Sequence, residues 1–182
     1  QEGQATTTGY MLFKRFNRSI SKTSPGVASQ NRPSIIFRLA DFYLIYAEVA
    51  NEVNPSDSRV LTYLNLVRAR AGVPKVEILN PGIVGNKELQ RAAIQRERQI
   101  ELATEGQRYF DVRRWMIADK DGEGRQNGYA HGMNVRGTIN DTEEFNRVVE
   151  TEKIVFNRKM YLQPIPDHEM RKTQNLVQNP GW

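Results

Sequence analysis

From residue 36 to about 52, the apolar residues Leu39, Phe42, Tyr43, Tyr46, Val49 and Ala50 recur at helical spacing, and Ala40, Leu44 and Ala47 add a second apolar face. A helix apolar on two sides needs two neighbours. Asn54 and Pro55 supply an N-cap and a first-turn proline for a helix running to residue 71, with Val60, Leu61, Leu64 and Val67 on its apolar side; Gly72 and Pro74 stop it. After a connector rich in Pro and Gly (73–85), the pattern predicts a long helix from about 86 to 105. Gly106 fits the left-handed position that ends a helix, and a shorter helix follows from 108 to about 118.

Outside this stretch the periodicity fades. Residues 1–30, rich in Thr, Ser, Gly and Gln, read as loop with a short strand or turn at 10–16. Gly122, Gly124, Gly128, Gly132 and Gly137 punctuate a polar loop over 119–148, with a short strand expected at 133–139. Further short strands are expected at 154–156 and 160–162, then a last helical turn capped by Asp167 and an extended tail over 173–182. The organisation is a loop-rich lead-in (1–33), a helical scaffold (34–118) and a loop-rich C-terminal segment (119–182).

Charge sharpens the reading of the two later helices. Glu97, Glu101 and Glu105 recur every four residues, so on one helix they stack into an acidic ridge whose neighbours repel by roughly 0.2–0.5 kcal/mol. Something basic must answer them. The second helix carries Arg108, Arg113 and Arg114; folded back as an αα-hairpin it would set guanidinium forks against the ridge, with Phe110 and Trp115 filling the seam beside Ile100 and Leu102. Arg98 and Glu101 have i,i+3 spacing for a pair within the helix. The alternative is catalytic, because a glycosidase uses clustered carboxylates as acid and nucleophile. A general acid needs a pKa raised by an apolar pocket or a like charge, and a neighbouring arginine acts in the opposite sense. With Arg96 and Arg98 also at hand, Glu97, Arg98, Glu101, Glu105, Arg108, Asp111, Arg113 and Arg114 read as a structural ion-pair network.

The run E-R-x-x-E-L-x-x-E-G-x-R-x-x-D-x-R-R-W, here Glu97, Arg98, Glu101, Leu102, Glu105, Gly106, Arg108, Asp111, Arg113, Arg114 and Trp115, resembles the C-terminal region of the SusD/RagB family. Two further stretches agree with that family's patterns. Arg38-Leu39-Ala40-Asp41 through Tyr46-Ala47-Glu48-Val49 matches one, with Val49 in place of the usual alanine. Tyr161-Leu162-Gln163-Pro164-Ile165-Pro166 with Glu169, followed by Gln178-Asn179-Pro180-Gly181-Trp182, matches the other.

The resemblance spans nearly the whole chain but only the C-terminal part of a typical member. It implies a mainly α fold, SusD-like, of tetratricopeptide-like helical hairpins with loop excursions and a few short strands. It also implies a surface-exposed lipoprotein of the outer membrane that captures an oligosaccharide or other nutrient, without turnover or cofactor, and hands it to a SusC-like TonB-dependent transporter. The secretory signal and lipid-bearing cysteine expected of such a protein are not in this sequence, so it is expected to begin partway through a longer polypeptide. The absent N-terminal portion then becomes a partner, and the neighbour for the second apolar face of the first helix should lie upstream.

Composition removes other classes. The 182 residues suffice for one domain, and no apolar run approaches the roughly 18 residues of a membrane helix. Without cysteine there is no disulfide, thiolate metal site or cysteine nucleophile. The formal charge of +5 arises from 26 basic and 21 acidic residues that largely balance locally, so no nucleic-acid stripe is expected.

Asp119, Asp121 and Glu123, with Gly124 sixth in the run, match the opening half of a Ca2+-binding loop. The twelfth position is Ala130 rather than a bidentate glutamate, which favours a solvated acidic turn. His131 and His168 are the only histidines and lack a paired carboxylate motif; the Gly-x-Ser-x-Gly elbow and the phosphate-cradling glycine loop are both missing. For a sugar, Tyr129 with Asn127 and Arg136 is the best local cluster and Tyr10 the next, against the alternative of ordinary surface tyrosines. Trp115 is expected in the core and Trp182 as a pin for the tail. Nutrient binding is thus the first reading, a helical-repeat scaffold for a protein partner the second, and a glycoside hydrolase using Glu97 or Glu101 the third.

Overall fold

The computed structural model describes Lys14 and residues 35–120, 128–132 and 149–182. Among these are six α-helices and a two-stranded sheet: α1 (Leu39–Val53), α2 (Arg59–Arg70), α3 (Val76–Leu79), α4 (Lys87–Glu101), α5 (Gln107–Arg114), β1 (Gly128–Gly132), β2 (Val149–Ile154) and α6 (Asp167–Met170). Short 3-10 turns lie at Pro81–Ile83 and Arg158–Tyr161. The chain divides into two compact units, one of residues 31–111, the other containing residues 112–182.

In the first unit α1, α2 and α4 pack together around Leu44, Ala47, Val60, Leu64, Val67 and Ile94, and the connector contributes Val76 and Ile83. Polar side chains secure the joints. Asn51 on α1 donates to the carbonyl of Lys87, and Gln90 on α4 donates to that of Pro55. Asn65 on α2 accepts from the N–H of Val76 and donates to Glu77, so α3 is held on α2 by both ends of one amide.

The ends of the helices show where local chemistry redirects the chain. α2 begins four residues after Pro55 rather than at it: Asn54 folds its own turn by accepting from the N–H of Ser56, and Asp57 accepts from the N–H of Arg59. It stops as expected, with Gly72 at φ +72 and the N–H of Val73 reaching back to the carbonyl of Arg68. α4 ends at Glu101, earlier than the expected 105, because Thr104 and Gly106 adopt φ +67 and +83 and the chain tightens into i→i+3 bonds. α5 ends at Arg114, before the expected 118, as Met116 turns to φ +54.

In the second unit Val112, Ala118 and Phe156 form a small core, flanked by Ile117, Met160 and Tyr161. β1 and β2 pair antiparallel, Gly128 opposite Ile154 and Gly132 opposite Val149, with an irregularity between Tyr129 and His131. The strand expected at 154–156 is only the last residue of β2. The one expected at 160–162 is instead part of the 3-10 turn, since Met160 bonds back to the carbonyl of Asn157 and Leu162 to that of Lys159. Residues 10–16, Lys14 apart, and 133–139 lie outside the described residues.

α1 carries the apolar double face, and only one side of it is covered. Asp41, Leu44, Ala47 and Asn51 are buried, whereas Leu39, Phe42, Ile45, Tyr46, Val49 and Val53 are exposed by 39–81 %. Leu39, Phe42, Tyr46, Val49 and Val53 follow alternating steps of three and four, the spacing of a helix-packing stripe, and Phe37 extends it with its ring 6.2 Å from Phe42. Six large apolar side chains in one continuous stripe are more than the singly scattered apolar residues of an ordinary monomer surface. The 182-residue chain should therefore self-associate in sedimentation and bind a hydrophobic dye, and Phe42→Lys with Val49→Lys should suppress both. A monodisperse wild-type monomer that binds no dye would show the face to be covered.

Candidate functional site

The buried face of α4 is mostly polar: Gln90, Glu97, Arg98 and Glu101 are buried along with Ile94. At its centre Arg98, 3 % exposed, forks onto Asp111 through Nε (3.0 Å) and Nη2 (3.1 Å), and its Nη1 reaches Asp41 at 2.8 Å. One guanidinium thus joins α1, α4 and α5. Asp41 and Asp111 are themselves 4 % and 3 % exposed, so three charged groups are withdrawn from water at a cost of several kcal/mol each, offset only while the geometry holds.

The ridge glutamates are answered from the preceding helices. Glu97 receives Arg68 of α2 at 2.7 Å, and Arg68 also donates to the carbonyl of Pro74. Glu101 receives both Arg38 and Arg70 at 2.5 Å. Arg38, just ahead of α1, bonds Glu105 through Nε (2.7 Å) and also donates to the Glu101 carbonyl, one of the acceptors left open at the end of α4. Burial works against the Arg38 charge, but its bonds to Glu105 and Glu101 outweigh that and hold its pKa above the ordinary value.

Glu97, Glu101, Glu105 and Asp111 are thus all bonded to arginines. Arg98 is committed to Asp41 and Asp111, not to Glu101 in its own helix. The arginines seen on the glutamates are Arg38, Arg68 and Arg70, supplied by the segment before α1 and by α2. Arg113 lies over the Phe156 ring at 5.0 Å and Arg114 over Trp115 at 4.7 Å, while Arg108 is half-buried. Phe110 and Ile100 do not fill a seam: both are exposed, and only Leu102 of that set is buried, with Trp115 half-buried.

The other candidates fall elsewhere. Asn127, Arg136, Asp121, Glu123 and Tyr10 lie outside the described residues; Tyr129 sits on β1 opposite Lys153. Asp119 accepts the hydroxyl of Tyr161 at 2.6 Å, a bond that lowers the carboxyl pKa, while burial and then this bond raise that of the phenol. No group of three potential metal ligands occurs among the described residues. Trp182 does pin the tail, donating to the carbonyls of Lys159 and Leu162.

Two clefts are described. One, of about 530 Å³ in the first unit, runs between α2 and the connector, with Leu61, Asn65, Lys75, Glu77 and Gln90 among its walls. The other, of about 560 Å³ in the second unit, lies between Met116, the 3-10 turn and the tail. Neither is lined by Glu97, Glu101, Asp111 or Asp41.

If the network supports the fold, Glu101→Ala should destabilise the chain by roughly 2–4 kcal/mol in denaturant melts, because Arg38 loses a partner in a part-buried site. Arg91→Ala, which breaks the more exposed pairs to Glu52 and Glu88, should cost no more than about 1 kcal/mol. A Glu101→Ala effect below about 0.5 kcal/mol would mean that the ridge is effectively solvated.

Comparison with known proteins agrees with the motifs. "SusD-like protein P25" of Formosa agariphila is 43% identical over 106 residues, 58% of this chain and 19% of the relative. "SusD-like protein P2" of the same organism is 31% identical over 153 residues, 81% of this chain and 26% of the relative. The crystal structure of a SusD-like protein from Bacteroides fragilis superposes with a TM-score of 0.65 at 30% identity, over 82% of this chain and 26% of that one. The chain thus spans about a quarter or less of the length of these proteins. The SusD family model matches residues 1–182, end to end, and the chain belongs to the SusD family.

Proposed function

We propose that these residues serve a non-enzymatic nutrient-binding protein of the bacterial surface, one that captures an oligosaccharide or other nutrient and passes it to a SusC-like TonB-dependent transporter. Family membership supports binding. The observation that carries the non-catalytic part is the state of the motif carboxylates: Glu97, Glu101 and Asp111 are at most 8 % exposed, each bonded to arginine, and none borders a described cleft. A glycosidase must present two carboxyl groups to the scissile bond across an open site. Here the acids face guanidiniums instead of substrate. Their chemistry is cohesion of helices, and the helices in turn carry the loops in which such a protein would read its ligand.

The surface location and lipid anchor belong to the same proposal. A second reading, a scaffold for a protein partner without a small ligand, draws on the exposed stripe of α1.

Incubation of the chain with an oligosaccharide panel, followed by product analysis and binding calorimetry, tests the proposal. The expected outcome is binding without products. Turnover abolished by Glu97→Gln or Glu101→Gln would replace it with a hydrolase, and binding to no sugar would favour the scaffold.

A further inference from the structure

The C-terminal tail straps itself along the segment that follows β2. Trp182 clamps the carbonyls of Lys159 and Leu162, both at 3.0 Å, and its ring lies 4.3 Å from the Lys159 ammonium. Asn179 donates to the carbonyl of Gln163, and Gln178 brackets the backbone of Ile165, accepting from its N–H (2.8 Å) and donating to its carbonyl (2.9 Å). Gly181 has φ +89, and a Cβ there would stand 2.9 Å from that of Lys159, so the strap closes tightly only with glycine.

Between strap and turn lies the 560 Å³ cleft of the second unit, with Met116, Leu162 and Pro180 on its apolar side, Tyr161 beside them, and Arg158 and Lys159 as its charges. Among the described residues neither cation has a carboxylate within ion-pairing distance. The next two basic residues with permanent charge, Arg171 and Lys172, are paired to Asp167 and Glu169. Asp119 accepts the Tyr161 hydroxyl and feels the Arg158 charge only at longer range, without an ion pair between them. No acid lines the cleft.

An apolar wall beside two adjacent cations, neither at ion-pair distance from a carboxylate of the described residues and Arg158 in reach only of the longer-range field of Asp119, suits a ligand with an apolar face and an anionic substituent. An acidic sugar has both: the C–H face of a pyranose lies on apolar and aromatic surface, and a carboxylate or sulfate accepts from a guanidinium fork. We infer that this cleft is a subsite for the acidic unit of an anionic oligosaccharide, carboxylated or sulfated, with Arg158 and Lys159 holding the charge. The inference rests on the sugar-binding reading above and names its substrate class.

Calorimetry on the 182-residue chain with a galacturonic acid hexamer, its neutral methyl ester and a sulfated galactose hexamer tests this and tells the two anions apart. At least one acidic hexamer should bind roughly tenfold or more tighter than the ester, with an affinity that falls as salt is raised. Arg158→Ala with Lys159→Ala should remove that preference. These changes leave intact the backbone carbonyl that Trp182 holds. Arg171→Ala with Lys172→Ala removes the same formal charge outside the cleft and should leave the affinity within about twofold. Equal loss from both pairs would mean general attraction and overturn the subsite. Binding of the ester as tightly as the acids would overturn the subsite while leaving sugar binding standing, and binding of none of the three would defeat both. The ester comparison needs no variant, so a misfolded mutant would not obscure the answer.

Discussion

Arg98 is the constraint around which the first unit is organised. It is a permanent cation at 3 % exposure, and its fork fixes where Asp41 of α1 and Asp111 of α5 must stand relative to α4. Apolar packing alone would allow these helices to slide, because Leu, Val and Ile contacts are non-directional. Guanidinium bonds at 2.8–3.1 Å in fixed directions are not. The surrounding pairs extend the same logic outward: Arg68 on Glu97, Arg38 and Arg70 on Glu101, and Arg38 again on Glu105. Acid repulsion along α4 is thereby converted into cross-links to the segment before α1, to α2 and, through Arg98, to α5.

This explains why a motif rich in carboxylates can belong to a protein proposed to bind rather than cleave. Every acid of the ridge is engaged in bonding arginines, and the clefts open elsewhere. The second unit is built differently, on a small apolar core and a tail threaded by amide bonds, with Arg158, Lys159 and Trp182 at the surface. On the proposed reading, charge-bonded helices serve cohesion and a separately held surface cleft serves recognition.

Much of the helical scaffold was legible in the sequence. The apolar spacing found α1, α2, α4 and α5, Gly72 and Gly106 took the positive φ expected of helix ends, and α1 has two apolar sides, of which the one with Leu44 and Ala47 is buried and the one with Leu39, Phe42, Tyr46 and Val49 is exposed. The network was legible as to membership of its acids but not as to pairing. Arg38, Arg68 and Arg70 stand 63, 29 and 31 residues from the glutamates they meet, and no local spacing encodes such distances. The stretch at 160–162 misled because an apolar and aromatic run so short fits a strand or a turn equally well, and only the bond from Met160 to Asn157 decides. The cleft beside Arg158 carried no motif of chemistry; the signal was a pair of adjacent cations with no carboxylate of the described residues at ion-pair distance, visible only after folding shows which cations are paired.

The claim that Arg98 organises the unit is most directly tested by a double-mutant cycle between Arg98→Leu and Asp111→Leu in denaturant melts. A coupling energy of about 2 kcal/mol or more is predicted, because each single change leaves a buried charge without its main partner and the double change leaves neither. Coupling below about 0.5 kcal/mol would show that the two groups act independently and contradict the account.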